Sequence, residues 1–247
     1  MATGDGPWGV AVDGSNAYVA CSGSDRLDII DLNTYALESI GTGLYPVSVA
    51  VDGSNAYVAC YDSDRLDIID LNTHALTSVA TGGGPNDVAV DGENAYVACT
   101  EDNRLDIIDL NTHALTSVAT EAGPYAVAVD GSNVYVACDY DDKLDIIDLN
   151  TYALTSVATG SGPMDVAVDG SNAYVASYSN NTLDIIDLNT HDRISVATGE
   201  GPWGVAVDGS NVYVTCYYVD TLEVFRQTNC LSGYDTDSCT GLPLSDW

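Results

Sequence analysis

The chain has 247 residues, 46% of them hydrophobic, with 37 acidic against 6 basic side chains and a formal net charge of −31. A surface this acidic repels nucleic-acid phosphates and anionic lipid, so neither is an expected partner. No apolar run reaches the roughly 18 residues of a spanning helix, so no membrane insertion is expected, and Met1-Ala2-Thr3-Gly4 lacks the basic and apolar regions of a signal peptide.

The dipeptide Asp-Gly recurs at Asp13, Asp52, Asp91, Asp130, Asp169 and Asp208, always 39 residues apart. A fixed period of about 40 residues means an array of one supersecondary unit. In the copy that starts at Gly84, Asp87-Val88-Ala89-Val90 reads as a short apolar strand. Asp91-Gly92-Glu93-Asn94 stops it, since Gly and Asn tolerate the positive φ of a tight turn. Ala95-Tyr96-Val97-Ala98-Cys99 is a second strand rich in β formers, and Thr100 to Asn103 is a polar loop. Arg104-Leu105-Asp106-Ile107-Ile108-Asp109-Leu110 is the third strand, two aspartates set in an apolar run. Asn111-Thr112-His113 turns the chain into a fourth, Ala114 to Thr120, and Gly123-Pro124 breaks it before the next copy. Four short strands joined by tight turns make one blade of a β-propeller. The expectation is an all-β, six-bladed β-propeller of four-stranded blades over residues 1–227, with a tail over 228–247.

The segments Val88 to Gly92, Ala95 to Ala98 and Leu105 to Asp109 (Val-Ala-Val-Asp-Gly, Ala-Tyr-Val-Ala, Leu-Asp-Ile-Ile-Asp) resemble the repeats of the YVTN and LVIVD β-propeller families, and the likeness covers residues 6–227. It implies a propeller fold. For function it implies only surface, secreted and periplasmic proteins of mixed roles. The propeller lactonases of this fold place Ca²⁺ and acidic residues at a central channel. Here Asp87, Asp165 and Asn86 are the residues that approach that pattern, which is too thin to carry a site over.

The sixth copy is incomplete. Three strands end at Thr221-Leu222-Glu223-Val224-Phe225-Arg226, and the 39-residue frame then meets Leu231 to Asp237, whose glycine and two aspartates make a poor strand. Met1-Ala2-Thr3 aligns with the end of a fourth strand and covers at most part of that edge. Leu222, Val224 and Phe225, with Leu242, Leu244 and Trp247 of the tail, are the candidate assembly edge, because an unpaired strand exposes backbone groups that invite another.

Cys21, Cys60, Cys99, Cys138 and Cys216 share one repeat position, where the fifth copy has Ser177. Small, half-apolar packing between units suits them better than disulfides. Cys230 and Cys239 lie outside the repeats and are the candidate disulfide, which points to an oxidising compartment. Asp235 and Asp237 alternate as in a Ca²⁺ loop but lack the glycine and terminal glutamate of an EF-hand, so a solvated turn is the better reading. No cofactor is expected, Ca²⁺ being the one ion the acidity would admit.

The turns between strands one and two, and three and four, hardly change between copies. The loops on the other face do. They carry Trp8, Tyr61, Tyr125, Tyr140, Tyr178, Trp203, Tyr217 and Tyr218, and exposed aromatic rings are typical of contact surfaces. His74, His113 and His191 all fall in the turn between strands three and four, a repeated turn position that argues against catalysis, and no nucleophile or phosphate-loop motif is present. The expected function is non-enzymatic: a structural, self-associating module of a cell surface or extracellular assembly, partnered by itself or another surface protein. The alternative is a carbohydrate- or peptide-binding propeller acting through Trp8, Tyr125 and Trp203. A Ca²⁺-dependent hydrolase or lactonase is the weakest reading.

Overall fold

The computed structural model describes residues 2–226. They form six antiparallel sheets, one per sequence copy, with five sheets of four strands and a sixth of three. The fold is the expected all-β, six-bladed propeller, with almost no helix. Among the described residues helical geometry is limited to 3₁₀ turns at Ser22–Ser24, Tyr61–Ser63 and Tyr217–Val219. Blade 3 shows the template, with strands at Pro85–Val90, Asn94–Cys99, Arg104–Asp109 and Leu115–Ala119. The sixth blade has Pro202–Val207, Asn211–Cys216 and Thr221–Arg226. The described residues divide into two compact units, with the boundary between Val129 and Asp130, just after the first strand of blade 4.

The turns are held by their own side chains. In each Asp-Gly turn the aspartate accepts local N–H groups, as Asp91 does from Glu93 and Asn94 at 2.9 and 2.8 Å, and its other oxygen accepts the tyrosine hydroxyl of the second strand, Tyr96, at 2.6 Å. Burial works to raise the Asp91 carboxyl, but these donors together outweigh it and hold it below the usual carboxylate range. The turn between strands three and four is an Asx turn on Asp109, and it needs a left-handed residue at its end. His74, His113 and His191 supply that residue at φ 58°, 58° and 62°, as Tyr35 and Tyr152 do at 59° and 56°. The histidines are therefore turn residues.

The first aspartate of each third strand serves another purpose. Asp28, Asp67, Asp106, Asp145 and Asp184 are completely buried. Asp106 accepts the Ser117 hydroxyl of the fourth strand at 2.6 Å, the backbone N–H of Gly82 at 2.7 Å, Arg104 Nη2 at 3.0 Å and the Cys99 thiol at 3.5 Å. Gly82 leads into the blade, and a Cβ there would stand 2.7 Å from Arg104 Nε and 2.9 Å from Cys99 Cβ, so the close approach of the arginine favours glycine; blade 4, with Lys143 in place of the arginine, has Glu121 at this position. One buried carboxylate thus ties the lead-in, second, third and fourth strands together, and its charge is matched by donors as burial demands. Blade 5 keeps the arrangement with changed parts. Ser177 donates to Asp184 at 2.8 Å in place of the cysteine, and Arg193 of the fourth strand approaches to 3.8 Å where Thr182 replaces the third-strand arginine.

The repeat cysteines are buried, in agreement with the packing role expected of them. Burial first, and then the Asp67 charge, push the Cys60 thiol up to about 12. Cys230 and Cys239, Asp235 and Asp237, and Leu242, Leu244 and Trp247 lie outside the described residues, as does the whole tail over 228–247.

Candidate functional site

Two loop sets meet at one end of each blade. The segment leading into the first strand accepts N–H groups from the loop between strands two and three, as in Ser22 N–H to Gly6 O (2.8 Å) and Gly23 N–H to Asp5 O (3.0 Å). The opposite end joins the two uniform turns, with Leu32 N–H donating to Ser15 O at 2.8 Å. The variable loops therefore do share a face, as their sequence divergence suggested. Each such loop ends in a left-handed residue, Asp64 at φ 48° for example, whose Oδ1 accepts the N–H of Gly84 in the next blade's lead-in at 3.1 Å. The loops that carry the aromatic residues are in this way fixed to the neighbouring blade.

Of the expected contact residues, Trp8, Tyr140, Tyr217 and Tyr218 are exposed, while Tyr61, Tyr125, Tyr178 and Trp203 are half-buried. In the second unit four of them come together. The Tyr178 ring stands 5.7 Å from Trp203 and 5.8 Å from Tyr218, Trp203 stands 6.2 Å from Tyr217, and Tyr217 stands 5.2 Å from Tyr218. These spacings lie in the favourable range for aromatic pairs. Tyr178 and Tyr218 also share a hydroxyl hydrogen bond of 2.6 Å, which, with burial, pushes the Tyr178 phenol up to about 12. Beside this cluster is a groove of about 370 Å³ lined by Trp203, Thr215, Tyr217, Asp220 and Leu222. In the first unit Tyr61 pairs edge-on with Tyr45 at 6.3 Å and reaches Glu101 at 3.4 Å. Tyr45 was not among the expected contact residues. Its signal was an aromatic at the lead-in position, where other copies have glycine.

Asp87 and Asp165 sit at the start of first strands, as the channel pattern required, but their oxygens are taken up by the chain. Asp87 Oδ1 accepts the Ser48 hydroxyl at 2.6 Å and Val88 N–H at 2.9 Å, and Oδ2 accepts Val127 N–H at 2.8 Å, so that one carboxylate joins blades 2, 3 and 4. Asp165 likewise accepts Val166 N–H and Val205 N–H, both at 2.8 Å. Asn86 donates to the Tyr125 carbonyl at 2.8 Å. These residues act as struts between blades. Among the described residues no group of three or more His, Cys, Asp or Glu side chains is placed to hold a metal ion. A second cleft, of about 460 Å³ on the uniform face of the first unit, is polar and lined by Asp52, Tyr57, Asp70 and His113.

The candidate assembly edge divides. Leu222 is 60% exposed, whereas Leu27, Leu66, Leu105, Leu144 and Leu183 at the same repeat position are fully buried. Val224 lies on the same side of its strand as Leu222. Phe225 faces the other way and packs with Val212, Val214 and Cys216.

Together these features define a propeller with a constant and a variable face. The LVIVD repeat model matches residues 82–115 and 162–189, so these two stretches of the propeller are similar to that repeat. Solved structures share the fold at low identity. Hydrazine synthase of Kuenenia stuttgartiensis is 18% identical with a TM-score of 0.64, over 92% of this chain and 97% of that one. A provisionally assigned 6-phosphogluconolactonase of Bacteroides uniformis is 18% identical with a TM-score of 0.76, over 98% and 84%. A streptogramin B lyase is 9% identical with a TM-score of 0.76, over 92% and 85%. Their functions differ, so the likeness speaks for the fold alone. No curated protein sequence matches the chain.

Proposed function

We propose that the chain is a non-enzymatic structural module of a cell surface or extracellular assembly and that it associates with copies of itself. The observation that carries this reading is the sixth blade. Among the described residues it has three strands, its last strand borders the sheet, and Leu222 is 60% exposed where five equivalents are buried. An apolar position exposed on an edge strand is a site for another chain. The net charge of −31 suits a salty or Ca²⁺-rich exterior. The turn geometry of the histidines and the strut role of Asp87 and Asp165 favour a scaffold over a catalyst. Light scattering of the full chain, and of residues 1–227, against concentration and salt tests the proposal. A mass that rises with both is expected; full and truncated chains that both stay monomeric throughout would remove it.

The four-ring cluster in the second unit favours a second reading, a carbohydrate or peptide ligand stacked on Trp203 and Tyr178. A glycan array read with the native chain and with Trp203→Ala tests it, with signal expected only from the native chain.

A further inference from the structure

The loop between strands two and three closes on three positions with set uses in the fold. The first is an acceptor for its own blade's lead-in: Ser24 takes the N–H of Asp5 at 2.8 Å, Ser63 that of Leu44 at 2.7 Å and Asp102 that of Gly83 at 2.9 Å. The second is the left-handed residue already described for Asp64. The third is the basic residue that opens the third strand, with Arg26, Arg65 and Arg104 each donating to the buried aspartate of their blade.

Blade 5 fills these positions with Asn180, Asn181 and Thr182. Asn181 keeps the template role, with φ 56° and its Oδ1 taking the Gly201 N–H at 2.9 Å. The other two depart from it. Asn180 Oδ1 accepts the Ser161 N–H, as Ser24 or Asp102 accepts its own lead-in. The asparagine adds an amide nitrogen that donates to no group among the described residues, and the residue is exposed. Thr182 gives up the arginine's bond to the buried aspartate, and its hydroxyl is buried with no hydrogen-bond partner among the described residues, which is unfavourable by itself. The fold asks for neither the amide nitrogen nor the threonine. Together they spell Asn-x-Thr with x other than proline, the acceptor sequence for an N-linked glycan. No other asparagine in the chain has serine or threonine two residues on. Blade 6 repeats the threonine at Thr221 but has Val219 at the first position, so no acceptor sequence forms there.

We propose that Asn180 is a site of N-glycosylation. The inference rests on the exterior placement proposed above and adds a covalent modification to it. The donor class is an oligosaccharide carried on a lipid phosphate. Asn180 Nδ2 forms a bond to the anomeric carbon of the first sugar. The bond from that carbon to the phosphate oxygen breaks, its electron pair leaves with the phosphate, and the amide nitrogen gives up one proton. Oδ1 is unchanged, so the hydrogen bond from Ser161 survives the modification. The sugar stands on an exposed residue of the variable loops, two positions beyond Tyr178, where a bulky hydrated group is compatible with the folded blade.

The test uses the full chain as its natural host makes it, with Asn180→Gln, Thr182→Ser and Thr182→Arg made in the same host. Trypsin cuts after Lys143 and Arg193, so residues 144–193 form one peptide that holds the site. Mass spectrometry of that peptide from exported protein is expected to find added sugar mass, and fragmentation is expected to place it on Asn180. Thr182→Ser should keep the sugar, while Asn180→Gln and Thr182→Arg should lose it. Thr182→Arg restores the residue that Arg26, Arg65 and Arg104 supply elsewhere, so its fold should be intact, which circular dichroism checks. Exported protein with a bare peptide, sugar on another residue, or sugar retained in Thr182→Arg would overturn the inference and leave the exterior reading standing. A chain that cell fractionation finds only inside the cell would remove both.

Discussion

Replacing Asp106 by alanine tests the buried hub most directly. The carboxylate is completely buried and takes the Ser117 hydroxyl at 2.6 Å, the Gly82 N–H at 2.7 Å and Arg104 Nη2 at 3.0 Å. Arg104 Nε also lies 2.9 Å from Oδ1, but off the N–H direction, so that approach is ionic rather than a directed bond. Hydrogen bonds to a charged acceptor contribute about 1.5–3 kcal/mol each, so the serine and glycine donors together account for about 3–6 kcal/mol. The arginine side chain is 31% exposed, and screening leaves its ion pair about 0–1 kcal/mol. Removal of one partner of a buried charge pair costs about 3–5 kcal/mol, within that sum, and Asp106→Ala should fall in this range. At roughly 2–4 °C per kcal/mol for a chain of this size, the melting temperature should fall by roughly 6–20 °C. Ser117→Ala, which leaves the carboxylate its other donors, should cost only about 1.5–3 kcal/mol. Thermal and urea unfolding followed by circular dichroism measure both. If Asp106→Ala costs no more than Ser117→Ala, the carboxylate does not organise the blade and the reasoning fails.

Cys99→Ser should be tolerated within about 1 kcal/mol, because Ser177 already makes the same bond to Asp184 in blade 5; a larger loss in urea unfolding would contradict that equivalence. The Cys60 thiol, raised to about 12, should be almost wholly protonated at pH 8, so native alkylation followed by mass spectrometry should leave it unlabelled until the chain unfolds. The turn aspartates Asp13, Asp52, Asp91, Asp130 and Asp208 are held below their ordinary value. Such groups stabilise the fold fully above the unfolded value of about 3.9 and lose that contribution as pH falls through the lower folded value. The melting temperature should hold from pH 7 to about pH 4 and drop below it; a decline that begins above pH 5 would point to other groups.

The architecture was legible because the 39-residue period places every turn residue in register. The positive φ of His74 and Tyr35 explains why such unlike residues share a position: the turn constrains the backbone and leaves the side chain free. The hub was less legible. Asp106 was visible as an aspartate in an apolar run, but its donors come from Gly82, Ser117 and Cys99, 24, 11 and 7 residues away. Only strand pairing brings those positions to one point, and a repeated Gly, Cys, Arg-x-Asp and Ser in a single copy was the signal available. Asp87 and Asp165 were read against a metal pattern because an acidic residue near a channel has two uses. Which one applies depends on donors from other blades, such as Val127 N–H, that the local sequence does not display. The aromatic cluster was half legible. Tyr178 and Tyr218 are 40 residues apart and so fall on adjacent loops, but ring distances depend on rotamers.

The sixth blade departs from the template where a plain copy would not need to. Glu223 replaces the hub aspartate and accepts Gly199 N–H at 3.0 Å, Thr221 stands where the arginine or lysine would be, and Thr215 stands where five blades have alanine. The change at Thr215 puts a hydroxyl at a position where alanine is fully buried in the other five blades, and in this blade that position is exposed. A polar group there is hydrated at no cost, whereas in a closed core it would need a partner. Leu222 was not exchanged in the same way. An exposed leucine kept beside an exchanged alanine marks the part of the face that retains an apolar function. If the face only needed to be soluble, Leu222 would be the first position to change. Replacing Leu222 by threonine therefore separates the two demands. It should leave the melt of the dilute chain within about 0.5 kcal/mol, as for an exposed surface substitution, while lowering the mass that light scattering finds at high salt. A large loss of stability in the dilute chain, with assembly unchanged, would mean that Leu222 serves the fold and not the contact between copies.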